Sequence, residues 1–212
     1  MKKKINKLQE DYDRNYGHLP DSQEDLLQYI RDNWKISEKN IERGLNYYDS
    51  INWNSCSYSL PLVPKPSPRP RSSADGSHFY GKGAALHRRF INSIIHTENI
   101  IFTVCEVDIK IYQPTPVSSM TNTEIYLAQL GLIRPTSGGD WDNFAKTYCD
   151  AVRNTLIIND NIIYKGTCER FYSIKPKVDL TFTYQDRFDS KFNERKIKSS
   201  ISYKNNIERI DK

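Results

Sequence analysis

The sequence predicts an α+β fold: a small mixed β-sheet with helices packed on one face, preceded by an N-terminal helical extension. Three observations predict it. From Ile100 to Tyr112, Ile101, Thr103, Cys105, Val107, Ile109 and Ile111 alternate with Phe102, Val104, Glu106, Asp108, Lys110 and Tyr112, the period of a half-buried strand. Val178, Leu180, Phe182 and Tyr184 alternate in the same way with Asp179, Thr181 and Thr183. Between the two, from about Asn143, Ala145, Tyr148, Cys149, Val152 and Leu156 recur at three-to-four spacing, the apolar stripe of an amphipathic helix.

Residues 1–53 read as a helical extension. Lys2 to Asn15 is polar with sparse apolar positions, and Gly17-His18-Leu19-Pro20 breaks it. Asp21 or Ser22 then caps a helix carrying Leu26, Leu27, Ile30 and Trp34, and Ser37 opens another with Ile41, Leu45 and Tyr48. Such a module packs on a neighbouring domain or supports dimerisation; a helix-turn-helix is the less favoured reading, given its acidic balance. Residues 54–185 form the main domain. A strand over Ser57–Val63 runs into Pro64-Lys65-Pro66-Ser67-Pro68-Arg69-Pro70-Arg71. Prolines do not join a sheet interior, so this is a stiff exit that displays Lys65, Arg69 and Arg71. A helix follows over Gly83–Glu98, with Leu86, Phe90 and Ile94 inward and Arg88 and Arg89 near its polar side. The connection 113–139 holds a short helix over Thr121–Leu132 and a flexible approach, Pro135 to Gly139. Ile162–Tyr172 and Lys177–Tyr184 are the last two strands. Residues 186–212 are a charged tail, either a frayed helix or disordered.

Charge is uneven along the chain. Residues 1–53 carry 9 basic and 10 acidic side chains, residues 54–185 carry 14 and 11, and residues 186–212 carry 8 and 5. The net +5 therefore lies outside the extension, which suits a polyanionic partner of the main domain. From Lys65 to Arg89, six Lys/Arg stand against the single acid Asp75, with Phe79 and Tyr80 interleaved, as phosphate-backbone contact requires; a solvated proline-rich loop has the same composition. Cys56, Cys105, Cys149 and Cys168 show neither CxxC nor zinc spacing with the four histidines, so they are expected to be reduced thiols of a cytoplasmic protein. The basic N-terminus lacks the apolar core of a signal peptide, and no run approaches a membrane span.

The chemistry concentrates between Gly138 and Tyr164. Asp140 and Asp142 stand two apart, Lys146 follows four later, and Asp160 lies beyond the apolar stripe in an Asn159-Asp160-Asn161 turn. In extended backbone, residues i and i+2 project to one side, so Asp140 and Asp142 converge if the chain is strand-like there. Clustered carboxylates repel, and a hard divalent cation such as Mg²⁺ with oxygen ligands relieves that repulsion. Capping and turn chemistry are the plain alternatives for these aspartates, and Asp142, Lys146, Asp150 and Arg153 could form ordinary helical ion pairs.

The run Asp140-x-Asp142-Asn143-x-x-Lys146-x-x-x-Asp150-Ala151-Val152, followed by Asn159-Asp160-x-x-Ile163, resembles the signature of the RusA-type Holliday-junction endodeoxyribonucleases over about residues 57–184. Two departures are visible. Asn159-Asp160 stands where the family has an Asp-Asp pair, and Gly139 where it often has proline or a basic residue. The resemblance implies a RusA-like sheet-and-helix fold with Asp140, Asp142 and Asp160 binding Mg²⁺ (Mn²⁺ substituting) and Lys146 as catalytic partner. It also implies DNA contact by Lys65, Arg69, Arg71, Arg88 and Arg89. The expected activity is metal-dependent cleavage of four-way junctions in DNA recombination and repair, by a cytoplasmic homodimer. A junction-binding protein that does not cut is the alternative. A DxD glycosyltransferase is disfavoured, because no long α/β nucleotide-binding pattern is present.

Overall fold

The second and third helices begin where hydroxyl caps stand. The structure, a computed structural model, describes residues 2–66, 71–72, 78–79, 82–95 and 100–210, and the chain separates into two units, Met1–Ser50 and Ile51–Lys212. In the first unit, α1 spans Lys2–Tyr16, α2 Gln23–Trp34 and α3 Glu38–Asp49. Ser22 Oγ accepts from Asp25 N at 3.1 Å and Ser37 Oγ from Asn40 N at 3.4 Å, each satisfying an orphan donor of a first turn. Lys35 closes α2 in the left-handed region, φ 49°. No side chain of α2 or α3 is buried.

The second unit orders β1 (Trp53–Leu60), β2 (Arg71–Ser72), β3 (His78–Phe79), α4 (Lys82–Ile94), β4 (Cys105–Pro114), α5 (Asn122–Gln129), α6 (Trp141–Val152), β5 (Ile163–Ser173), β6 (Lys177–Gln185), α7 (Lys191–Lys198) and α8 (Ile201–Ile210). The four long strands form one sheet in the order β1-β6-β4-β5. β6 is antiparallel to β1 and β4, and β4 is parallel to β5. A parallel pair needs a long crossover, and residues 115–162, with α5 and α6, provide it. The architecture is α+β with a mixed sheet, as expected.

Parity decides which sheet face is covered. Cys105, Val107, Ile109 and Ile111 of β4 and Val178, Leu180 and Phe182 of β6 are buried in one core with Phe144, Tyr148, Ala151 and Val152 of α6 and Ile91 of α4. Phe144 and Tyr148 are fully buried, worth about 1.5–3 kcal/mol for a large apolar side chain of this kind. The other face is polar: Lys165 Nζ of β5 donates to Glu106 of β4 at 3.0 Å and Ser59 Oγ of β1 to Asp179 of β6 at 2.6 Å, both between strands, and Lys177 pairs with Asp179 within β6 at 2.6 Å.

Several elements differ from expectation. β1 starts at Trp53 and stops at Leu60, because its ladder with β6 extends to Trp53↔Gln185 and backbone pairing on an edge tolerates the polar Asn54 and Ser55. Ile91 of α4 and Ile95 just past its end are the fully buried residues here, and Ile94 packs partly buried against the core as expected, while Phe90 is 46% exposed. Ile91 and Ile95, four apart, each lie one position beyond a residue of the stripe chosen from periodicity, and of that stripe Phe90 is the one that faces out. Leu86 lies outside the residues whose side chains are described. The C-terminal tail is helical, and α8 docks. Tyr203 meets Phe102 edge-on, 5.0 Å between ring centroids, and Asn206 is buried.

Candidate active site

α6 begins at Trp141, two residues before the point where the helical pattern starts in the sequence. Asp140 is its N-cap residue (φ −74°, ψ 148°), yet its carboxylate caps no backbone N–H; it accepts from Asn143 Nδ2 at 3.2 Å. Since Trp141 and Asp142 are already helical, the strand geometry expected to bring Asp140 and Asp142 together does not apply. Both sit instead at the entrance of one helix, at the positive end of its macrodipole.

Trp141 and Arg170 hold that entrance. Trp141 Nε1 donates to Cys168 O of β5 at 2.5 Å. Arg170, also on β5, donates to Gln113 Oε1 at 3.1 and 2.9 Å and to Ser137 O, with its guanidinium 5.3 Å from the Phe144 ring centroid. Gly138 and Gly139 have φ +88° and +127°. A Cβ on Gly139 would lie 2.8 Å from Pro66 Cγ, and one on Gly138 2.8 Å from Gln113 Nε2. Proline, with φ locked near −65°, cannot take that backbone, which accounts for glycine before Asp140. The approach is packed rather than loose.

The same contact brings the start of the basic segment to the acids. Pro66 lies against Gly139, and Lys65 N donates to the buried Tyr148 hydroxyl at 3.4 Å, leaving the Lys65 side chain exposed beside α6. Arg69 lies outside the described residues. Of Arg71 only the backbone is described, paired with Phe79. Arg88 and Arg89 are exposed on α4, which packs on α6.

Lys146 is exposed one turn beyond Asp142. Neither Lys146, Asp142 nor Asp160 forms an ion pair among the described residues, although partly exposed acids elsewhere do, such as Glu106 with Lys165 and Glu194 with Lys198. The helical ion pairs are therefore not formed. Asp160 opens a short 3-10 turn, Asp160–Ile162, just ahead of β5, capped by Asn159, whose Oδ1 accepts from Asn161 N at 3.4 Å. The residue that replaces a carboxylate in the signature thus serves as the cap of the turn presenting Asp160. Burial foremost, then the charges of Asp160 and Asp150, push the Cys149 thiol up to about 12.

The donor chemistry fits a hard divalent cation, since all three candidate ligands are exposed carboxylates. The geometry fits in part. Among the described residues no three of His, Cys, Asp and Glu come together in ligating range; Asp140 and Asp142 share the entrance of α6. Nothing in the spacing singles out His87. Its Nε2 is buried without a hydrogen-bond partner, its ring stands edge-on to Tyr148 at 6.0 Å, and burial first, then the Lys65 charge, lower its pKa. Trp141 is equally hidden, as the variable residue of the DxD.

A family model described as "Endodeoxyribonuclease RusA" matches residues 61–183, more than half of the chain and all of the candidate site residues above. The chain is also 29% identical over 119 residues to "Uncharacterized protein YqaN" of Bacillus subtilis (strain 168), an overlap of 53% of this chain and 84% of that protein. No helix among the described residues is long and apolar enough to cross a membrane.

Proposed function

Because this chain belongs to the RusA endodeoxyribonuclease family, and so is an enzyme that hydrolyses DNA phosphodiester bonds in the manner of a junction resolvase, we propose that it cuts four-way junctions with Mg²⁺ in recombination and repair. The family's resolvases depend on a divalent metal. Mg²⁺ is the ion we assign, because it keeps several waters and is commonly held by one or two carboxylates together with substrate phosphate. Asp140 and Asp142 supply that pair, and Asp160 is the third acid of the set. When bound, the cation offsets charge developing at phosphorus and lowers the pKa of an attacking water.

The observation that carries this reading is that Asp142, Lys146 and Asp160, all exposed and without ion-pair partners among the described residues, lie on or beside one helix. Lys146 stands one turn beyond Asp142 on α6 and adds positive charge where a phosphate oxygen turns more negative. Lys65 and, with it, Arg69 and Arg71 hold the DNA backbone next to Asp140, and Arg88 and Arg89 hold it across α4. A four-way junction is two-fold symmetric, and an isologous dimer presents two matched sites; a cytoplasmic homodimer is the assembly we assign.

The test is a nicking assay on a four-way junction beside matched linear duplex, with Mg²⁺ and with EDTA. Nicking of the junction in Mg²⁺ alone is the expected result. Junction binding without cleavage in Mg²⁺ or Mn²⁺ would leave the alternative, a protein that binds branched DNA without cutting it.

A further inference from the structure

Between α4 and the C-terminal end of α6, Arg88, Arg89, Asn92, Asp150, Arg153 and Asn154 line an open groove of about 510 Å³. The three arginines are exposed and form no ion pair among the described residues. Asp150 is the one acid of that lining. Three guanidiniums around one groove repel each other, and a polyanion is the partner that relieves them. Arginine's planar fork matches phosphate oxygens two at a time.

The groove is built, not a chance gathering of surface side chains. Asn154 takes the left-handed conformation, φ 60°, which residues other than glycine seldom adopt. Two contacts hold it there: its N–H donates to Ile157 O at 2.7 Å, and its Oδ1 accepts from Asn206 Nδ2 at 3.3 Å. Asn206 is only 3% exposed and is itself anchored to Ser202 O at 2.8 Å. Helix α8, beyond the family-matched 61–183, thus braces the turn that presents Arg153 and Asn154.

We propose that this groove binds the sugar-phosphate backbone of one duplex arm about five base pairs from the cut. The distance rests on the reading of the α6 entrance as the site of cleavage. Asp142 and Arg153 lie at opposite ends of one rigid helix, roughly 16 Å apart at 1.5 Å per residue, and B-form DNA advances about 3.4 Å per base pair. The two ends of α6 then divide the work: the entrance faces the scissile phosphate, and the exit grips the arm.

The experiment measures junction binding in EDTA, where the metal-dependent step plays no part. In the triple variant Arg88→Gln, Arg89→Gln, Arg153→Gln, the slope of log K against log salt should shrink by about 0.9 per lost contact, two to three in all. Lys175→Gln, an exposed lysine away from the groove, should keep the wild-type slope. A methylphosphonate placed about five nucleotides from the nick should weaken the wild-type complex and leave the triple variant's affinity unchanged. A wild-type slope in the triple variant, or equal methylphosphonate sensitivity in both proteins, would overturn the groove assignment even if the enzyme nicks normally. If the protein binds junctions without nicking them, the cleavage reading falls, and the slope and interference at any arm phosphate still decide the groove.

Discussion

The indole N–H of Trp141 donates to the carbonyl oxygen of Cys168 at 2.5 Å, so the residue between Asp140 and Asp142 is bonded to the middle of β5. That bond fixes the rotation of α6 about its own axis and thereby the direction in which both carboxylates leave the helix. Trp141→Phe keeps an aromatic side chain and removes the donor. Urea unfolding should report a loss of about 1 kcal/mol. Junction cleavage should fall on the order of tenfold or more, because loss of register acts on the site directly. Cleavage at the wild-type rate would show that the bond does not position the acids.

Asp140→Asn, Asp142→Asn and Asp160→Asn should each abolish cleavage while sparing or improving junction binding in EDTA, since a charge that repels phosphate is removed. Asp160 is the demanding case, because it lies on the turn ahead of β5 rather than at the entrance of α6. Full cleavage by Asp160→Asn would reduce the cation's ligands to the Asp140–Asp142 pair.

Neutralising Lys65, Arg69 and Arg71 together should weaken binding to a similar degree across DNA sequences and flatten its salt dependence, by up to about 0.9 in slope per contact. An unchanged slope would return the segment to a solvated proline-rich loop.

Burial first, then neighbouring thiols or acids, push the thiols of Cys105 and Cys149 from the ordinary 9.0 up to about 12. The folded chain then keeps protons that the unfolded chain releases, so the unfolded state binds fewer protons in the window between those values. The stability this contributes is complete below about pH 9 and declines as pH rises toward about 12. Denaturation midpoints measured across that window should fall, and Cys105→Ala together with Cys149→Ala should flatten the decline. In the folded protein near neutral pH, neither thiol should alkylate at an appreciable rate.

A two-fold dimer lets a second site meet the opposing strand while the first product is still bound. Sedimentation at micromolar concentration should show a dimer, free and on junction DNA, and a monomer in both conditions would sink the assembly. Leu27, Trp34, Leu45 and Tyr48, each more than half exposed on α2 and α3, are apolar surface of the kind that marks an interface. Deleting residues 1–50 tests whether the helices contribute to it.

Much of the fold is local, and there the sequence is explicit. The alternation of β4 and β6 predicts their buried faces, because side-chain parity along a strand depends on nothing beyond the strand. Ser22 and Ser37 mark helix starts through hydrogen bonds that reach only three residues. The spacing Asp140, Asp142, Lys146 and Asp160, with its resemblance to a known signature, is likewise readable in one dimension. It suffices to name the family.

What depends on distant partners is decided only by the tertiary structure. The order β1-β6-β4-β5 pairs strands far apart in sequence, and no local pattern encodes it. The inward phase of α4 follows from the neighbours it meets, so Ile91 and Ile95 are buried while Phe90 is left half exposed. Trp141 is tied to Cys168 of a strand far along the chain, and Gly139 is required because Pro66 passes against it. Residues 186–212 read as a tail because their apolar positions are few; Tyr203 and Asn206 dock all the same, each meeting a specific partner, Phe102 and Asn154. Local propensity acts over a turn or a strand, whereas these placements depend on contacts that exist only once the chain has closed on itself.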